Sequence, residues 1–381
     1  MKRTLLITSD FPPVTGGVSH SLWNFYTALA SPDAWVLTEP HQVNIHTDFP
    51  VIRKYFFLPL PWIWPRWLPL FWHAFRIVRT YGIRHVQAGQ LLPTGTVAFL
   101  LKKILRCPYS VYVYGMDMVT ARHSKRKMKL IKLILRSADR VIANSRYTQS
   151  LAIKCGAVSD KSVIMYPSIS QHIPQPVSEQ LEELIRIRHR LDGVQVIISV
   201  GNLVRRKGHD FVIRALAEIK KTSGTAPRYL IIGDGPNRVY LQTLRDKLGL
   251  TNEVEFAGKV PDNELAAYYH VADVVIMLSR ELYDDSGRVI DVEGFGMVFL
   301  EANLYGKPVI AGKSGGVPEA VADGQSGLLV NPENTAEIAA AIHKMLNDSK
   351  LRLSMGQYGM RRAQTAFSLE SQVSVLRKIL S

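Results

Sequence analysis

Cysteine is scarce. Cys107 and Cys155 are the only two in 381 residues, too few for a disulfide framework or a cysteine-built zinc site, so a reducing cytosol is the expected compartment. Long apolar runs are missing too. No stretch reaches the roughly 20 uncharged apolar residues of a membrane-spanning helix, and the nearest, residues 55–65, is short and broken by prolines. The opening run Thr4-Leu5-Leu6-Ile7 is short for a signal-peptide core and leads to Pro12-Pro13 instead of a small-residue cleavage site, so a first buried strand is expected there. The 11 histidines are scattered, none pairs at ligand spacing beside a carboxylate, and Asp284-Asp285 sits in a polar stretch that reads as solvated. No metal or other cofactor is therefore expected. Low-complexity tracts are lacking, which together with 21% charged residues argues against extensive disorder.

What is present fits two domains of ordinary size, with 47% hydrophobic residues to fill two cores. The charge is unevenly placed. Lys and Arg against Asp and Glu number 22 and 7 in residues 1–170, and 25 and 25 in residues 171–381, so the net +15 belongs to the first part. Such asymmetry suggests one domain facing a polyanionic surface while the other handles a small molecule.

Two segments weigh between nucleic acid and acidic lipid as that surface. Residues 55–75 hold Trp62, Trp64, Trp67 and Trp72, four of the six tryptophans, with prolines and flanking Arg66 and Arg76. Indoles beside cations suit a membrane–water interface, although large aromatics also fill cores. Residues 122–136, RHSKRKMKLIKLILR, place Leu130, Ile131, Leu133, Ile134 and Leu135 on a helical stretch with Lys125, Arg126, Lys127, Lys129 and Lys132. A basic amphipathic helix gains about 1 kcal/mol per cation at an anionic leaflet; alternatively its apolar face is buried and its basic face merely solvated.

Short β-branched runs alternate with helical patterns. Residues 5–8, 109–114, 141–143 and 162–165 read as strands, and 17–29 and 125–137 as helices. After residue 190 the rhythm restarts, with strands at 194–200, 229–233, 254–256, 274–278 and 308–311 and helices at 208–220, 236–248, 262–272 and 298–305. The expected class is α/β, two doubly wound Rossmann-like domains. Expected boundaries are a basic domain at 1–170, a linker at 171–193 containing Pro174 and Pro176, a second domain at 194–364, and a C-terminal helix at 365–381 crossing back to the first. Open parallel sheets bind ligands at the carboxyl ends of their strands, so the two domains are expected to face a central cleft.

Three glycine-bearing loops stand after strands. The first, DFPPVTGG, runs from Asp10 to Gly16 and Gly17 and opens a helix, so its amides can approach a phosphate. It is no dinucleotide fingerprint, and His20 just beyond it reads as packing or surface. The second, GNLVRRKG, carries Asn202, Arg205, Arg206 and Lys207 between a strand and a helix, where cations and amide donors meet an anion. In the third, DVEGFGMVFLE, Gly294 and Gly296 place Glu293 on a loop and Glu301 about two turns into the helix behind it. Two carboxylates so placed can grip hydroxyls of a sugar and of a ribose.

These motifs in this order, with IIGDGP and VEFAGKVP between them, resemble a retaining glycosyltransferase of family four with the GT-B fold. The similarity spans nearly the whole chain and is strongest over residues 197–332; within the family it looks most like bacterial mannosyltransferases acting on phosphatidylinositol mannosides and similar membrane acceptors. The resemblance implies roles position by position. Glu293 would bind donor-sugar hydroxyls and Glu301 the ribose; Lys207, with Arg206 and Arg205, would neutralise the diphosphate. Gly16 and Gly17 would let their loop close over it, with Asp10 on the acceptor side. Amides at Met297 and Val298, after Phe295 and Gly296, would face the sugar or phosphate. The strand around Glu255 to Val260, with Gly258 in it, would hold the base by its backbone, and Gly233 would be a further donor-binding position. Two positions depart from the family pattern: Tyr114 stands where a histidine is usual, and Asn202 where arginine is common.

The reading is a hexosyltransferase that takes a UDP- or GDP-linked sugar, GDP-mannose among the options, to a lipid-linked or cell-envelope glycan acceptor. It is expected in the cytoplasm, on the inner face of the membrane. Trp62, Trp64, Trp67, Lys125, Arg126 and Lys129 would dock on anionic lipid, and no nucleic-acid partner is expected. A nucleotide-sugar epimerase or phosphorylase of the same architecture, and a non-catalytic lipid- or nucleic-acid-binding relative, are the alternatives.

Overall fold

The computed structural model describes residues 2–14, 16–41, 46–59, 64–169 and 175–381. The chain divides into two compact units, Met1–Gln171 with Phe367–Ser381, and His172–Ala366.

The first unit runs β1 (Thr4–Ile7), α1 (Gly17–Leu29), β2 (Ala34–Thr38), β3 (Val51–Arg53), α2 (Leu68–Thr80), β4 (His85–Ala88), α3 (Thr94–Leu105), β5 (Tyr109–Val113), α4 (Met116–Ala121), α5 (Lys125–Ser137), β6 (Arg140–Ala143), α6 (Arg146–Lys154) and β7 (Ser162–Ile164). Its strands form a parallel sheet ordered β3-β2-β1-β4-β5-β6-β7. Strands covered on both faces have apolar side chains in succession, and Leu5, Leu6 and Ile7 are fully buried. The strand order reverses between β1 and β4, which puts the loops after those two strands side by side.

Neither β2, β3 nor β4 was among the strands expected from sequence. The β4 segment HVQA hides because its polar side chains are satisfied inside. Gln87 donates to Tyr26 Oη at 2.7 Å and Thr4 Oγ1 at 3.2 Å and accepts from Tyr112 at 2.9 Å, while His85 meets Ser110 at 3.0 Å. An unpaired buried amide would cost about 1–3 kcal/mol, so this network is what lets polar residues occupy a central strand.

The second unit runs α7 (Glu179–His189), β8 (Val196–Val200), α8 (His209–Ser223), β9 (Arg228–Ile232), α9 (Arg238–Lys247), β10 (Val254–Gly258), α10 (Asp262–Val271), β11 (Val274–Met277), β12 (Leu282–Tyr283), β13 (Val289–Asp291), α11 (Met297–Leu304), β14 (Val309–Gly312), α12 (Val317–Ala320), β15 (Gly327–Val330), α13 (Thr335–Asn347) and α14 (Ser349–Ala366). A six-stranded parallel sheet has the order β10-β9-β8-β11-β14-β15, and β12 pairs antiparallel with β13. Here the order reverses between β8 and β11, bringing the loops after these strands together. The core joins Ile197, Tyr229, Ile231, Ile276 and Ile310 of the sheet to Val212 and Leu216 of α8 and Ile338 and Met345 of α13. Each such side chain contributes about 1.5–3 kcal/mol on burial.

One expectation changes. Residues 171–193 were read as a linker, but α7 packs on α10 with Ile185 fully buried, and its Arg188 pairs with Glu264 at 2.8 Å, so this helix is part of the second unit. The last helix, α15 (Leu369–Leu380), belongs to the first unit, where Val373, Leu376 and Leu380 share a core with Leu22 and Tyr26 of α1.

Candidate functional site

In the second unit the reversal point assembles a charged cluster. The loop after β8 closes in a short 3-10 turn, Arg205–Lys207, and α8 begins behind Gly208. Gly208 has φ of +70°, and a Cβ there would lie 2.2 Å from the Leu278 carbonyl oxygen, so only glycine lets the two loops approach. The backbone N–H of Arg280 donates to the Arg206 carbonyl at 2.9 Å and ties the loops together. Arg280 itself grips Asp210 with both guanidinium arms, at 3.0 and 3.1 Å, and lies over Phe211.

Glu293 is the centre of this cluster. Its Oε2 accepts from Lys207 Nζ at 2.6 Å, from Ser279 Oγ at 3.1 Å, and from Arg206. Arg206 also pairs with Asp291 at 2.9 Å. Burial pushes the Glu293 carboxyl up, but Lys207 and then Arg206 overcome this and hold it down at about 2. Glu293 is therefore ionised throughout the neutral range, with Lys207 and Arg206 both on one of its oxygens. Arg205 and Asn202, from the same loop, are exposed.

The helix α11 begins at Met297 after Gly296, whose φ of +97° and contact with the Phe299 ring leave no room for a Cβ. Its positive end, formed by Met297 and Val298, thus follows directly on the loop that carries Glu293 and the buried Phe295. Glu301 accepts from Tyr269 Oη at 3.1 Å, and Tyr269 stacks on Tyr305 with centroids 5.0 Å apart. Burial, followed by the nearby Glu301 charge, raises the Tyr269 phenol well above its usual value, so it stays a neutral donor. At the carboxyl ends of β9 and β10 the Gly233 N–H donates to the Gly258 carbonyl at 2.7 Å, with Val260 just beyond. The Glu255 side chain instead lies toward the amino end of β10, against His189 at 2.8 Å.

In the first unit the loops after β1 and β4 meet at Asp10, which accepts from Gln90 Nε2 at 2.8 Å. Gln90 also reaches Thr8 and Ser9, at 3.0 and 3.2 Å. Gly16 caps α1 at φ +147° with open space around it, and Gly17 is the first residue of that helix. Tyr114, after β5, stacks on Tyr112 and has its phenol raised by burial, then by Tyr112, Asp10 and Asp117. Asp117 accepts from the N–H groups of Met118 at 3.0 Å and Tyr114 at 3.4 Å; burial nevertheless lifts its carboxyl to about 6. Asp117, Gln90, Ser279, Asp291 and Tyr269 were not singled out in the sequence. Gly115 before a helix start was the one local cue.

Of the residues expected to meet lipid, Trp62 lies outside the described residues. Trp64 is 86% exposed, while Trp67 is partly buried at the start of α2. Lys125, Arg126 and Lys129 are all exposed on α5. Most of its apolar face is spent on the core: Ile131, Ile134 and Leu135 are fully buried in the unit, while Leu133 stays exposed with the cations.

The chain matches the family described as "Glycosyl transferases group 1" over residues 182–362 and that described as "Glycosyltransferase Family 4" over residues 15–171. It is 30% identical to the GDP-mannose-dependent alpha-(1-6)-phosphatidylinositol monomannoside mannosyltransferase of Mycobacterium tuberculosis (strain CDC 1551 / Oshkosh), over 94% of this chain and 93% of that protein. To the enzyme of the same name from Mycolicibacterium smegmatis it is 29% identical over 99% and 98% of the two chains. Among solved structures, Anabaena HepE in complex with UDP and glucose aligns with TM-score 0.80 at 21% identity, covering 100% of this chain and 99% of that one. Sucrose-phosphate synthase from Thermosynechococcus elongatus aligns with TM-score 0.80 at 24% identity over 100% and 98%. The fold shared with these neighbours is GT-B.

Proposed function

Because the chain belongs to glycosyltransferase family 4, we propose that this glycosyltransferase moves a hexosyl group, with retention, from a nucleotide-diphospho-sugar to a lipid-linked or cell-envelope glycan acceptor. GDP-mannose is the donor favoured by the names of its relatives. The observation that carries the reading is the Glu293 carboxylate held by Lys207, Arg206 and Ser279 at the strand-order reversal of the second unit.

The chemistry needs positioning and charge more than a protein base. The bond from the sugar C1 to the diphosphate oxygen breaks, C1 bonds to the acceptor oxygen on the same face, and the acceptor proton passes to the departing phosphate oxygen. Lys207 and Arg206 would share their charge between Glu293 and that phosphate, which stabilises the leaving group without a divalent ion. Glu293 would orient sugar hydroxyls and Glu301, steadied by Tyr269, the ribose. Asp10 and Tyr114 would stand on the acceptor side.

The same reading includes peripheral docking on an anionic membrane. No helix among the described residues is long and apolar enough to cross one. Support comes from the layer in which α3 packs against both α2 and α5. Leu68 and Trp72 of α2 are half exposed, with Arg76 over the Trp72 ring; Lys103 and Ile104 of α3 and five cations of α5 from Lys125 to Lys132 are also exposed. Apolar and cationic groups side by side suit lipid headgroups.

The test is incubation with labelled GDP- and UDP-sugars and membrane extract. Label from GDP-mannose entering the lipid fraction supports the donor and acceptor class together. Turnover of the donor without any external acceptor, or label in no lipid or glycan from any donor, overturns it.

A further inference from the structure

A second basic site lies at the other end of the second unit's sheet. Arg188 and Arg190 close α7, Arg228 opens β9, Arg245 projects from α9, and with Asn252 and Glu255 they line a cavity of about 280 Å³. The donor loops follow the carboxyl ends of the strands, whereas Arg228 is the first residue of β9. A strand of five residues spans about 13 Å, so the two sites are separated by the thickness of the sheet along its strands.

The charges in this cavity are only partly answered. Arg188 holds Glu264 at 2.8 Å and Arg245 holds Asp246 at 2.8 Å. Glu255 is engaged by His189 at 2.8 Å and reaches Arg228 only at 3.5 Å. Arg228 donates one arm to the His189 carbonyl at 2.8 Å, while its buried Nε has no hydrogen-bond partner among the described residues. Arg190, exposed and in the left-handed region at φ +53°, makes no ion pair among them. Guanidinium groups keep their charge at any physiological pH and present donors in a planar fork that matches phosphate oxygens. A buried donor without an acceptor is costly, and an anion would relieve it. The volume falls just below the range of about 300–1,000 Å³ typical of small-molecule sites, and its lining is polar, which excludes an apolar ligand.

We propose that this arginine-lined cavity binds a phosphate-bearing anion, with Arg228 and Arg190 as its principal donors, independently of the donor site. The anion is either a free phosphorylated molecule or the phosphomonoester headgroup of a lipid; the chemistry recognised is the same.

Thermal unfolding of the full chain, titrated with inorganic phosphate and with diphosphate at constant ionic strength, reads the first source. A ligand that binds only the folded state raises the midpoint saturably. Flotation with vesicles containing phosphatidic acid, against phosphatidylcholine alone, reads the second. The expected result is a saturable response in at least one arm that persists in Lys207→Ala and is weakened about tenfold by Arg190→Gln. Because Arg190 is exposed, that variant should keep the unliganded midpoint, and the double variant with Arg228→Gln should abolish the response. No response in either arm overturns the proposal. So does a response that Lys207→Ala removes and Arg190→Gln leaves intact, since the anion then lies in the donor loop.

Discussion

Lys207 Nζ and Glu293 Oε2 stand 2.6 Å apart although 86 residues separate them in sequence. The contact exists because β8 and β11 are neighbours at the point where the strand order reverses, so that a cation from one loop and a carboxylate from the other share one small volume. In the absence of donor, each neutralises the other. In the proposed reaction a diphosphate entering there would meet cations already placed, the arrangement that stabilises a leaving group best.

Removing the carboxylate charge should therefore damage turnover more than folding. Glu293→Gln keeps the size and can still accept from Ser279, but it no longer offsets Arg206 and Lys207. The expected outcome is a fall in kcat on the order of 100-fold, measured in the labelled-donor assay, with a far-UV spectrum like that of the parent. Unchanged kcat would show that the sugar is held elsewhere.

In the proposed donor site Tyr269 would act through Glu301. Tyr269→Phe deletes the 3.1 Å hydrogen bond and leaves the stacking on Tyr305. A hydrogen bond to a charged group is worth about 1.5–3 kcal/mol. The donor KM should rise about tenfold with kcat nearly constant; a kcat loss at unchanged KM would move Glu301 from ribose binding to the chemical step.

Gly208→Ala should be severe for a backbone reason. The added methyl needs φ near +70° and space held by the Leu278 carbonyl, 2.2 Å away. A loss of about 2–4 kcal/mol in urea unfolding is expected, with donor affinity lost as well because the 3-10 turn carrying Arg206 and Lys207 ends at that residue.

Acid should destabilise the protein earlier than its carboxylates require. Burial holds the imidazoles of His85 and His209 down, each to about 4. An unfolded imidazole titrates near 6.5, so the unfolded chain takes up these protons first. The stability contributed is complete above about pH 6.5 and lost as pH falls through 4, roughly 3 kcal/mol for each ring. Asp117 opposes this: raised by burial to about 6, it contributes fully only below about pH 4, and that contribution is lost as pH rises through 6. The urea midpoint should drop between about pH 7 and 4.5, His209→Gln should flatten the drop, and Asp117→Asn should steepen it. A level profile in the parent protein contradicts the assignment.

On vesicles, Lys125→Glu, Arg126→Glu and Lys129→Glu together should leave folding intact, because all three side chains are exposed. At about 1 kcal/mol for each cation lost, affinity for anionic lipid should fall on the order of 100-fold. Binding unaltered by the triple reversal, or insensitive to salt, removes α5 from the docking surface.

Glu293, Glu301 and Lys207 could be singled out in the linear chain because glycines mark their loops and fixed spacing marks the helix behind them. Ser279, Asp291, Tyr269, Gln90 and Asp117 could not, since each acquires its role from a partner brought in by sheet pairing or by a loop across the reversal point. The basic helix shows the same division. Its periodicity was plain in residues 125–137, but which face is spent on the core was settled by α3 packing against it, which buries Ile131 and Ile134 and leaves the cations outward.

Local patterning thus sufficed for the α/β rhythm, the charge imbalance and the loop motifs, because backbone propensity and hydrophobic period act over a few neighbouring residues. The strand order, the sharing of Glu293 between Lys207 and Arg206, and the arginine cavity at the opposite end of the strands depend on contacts between residues far apart in the chain. Those contacts form only when buried strands choose their neighbours, and that choice is made by packing the whole core.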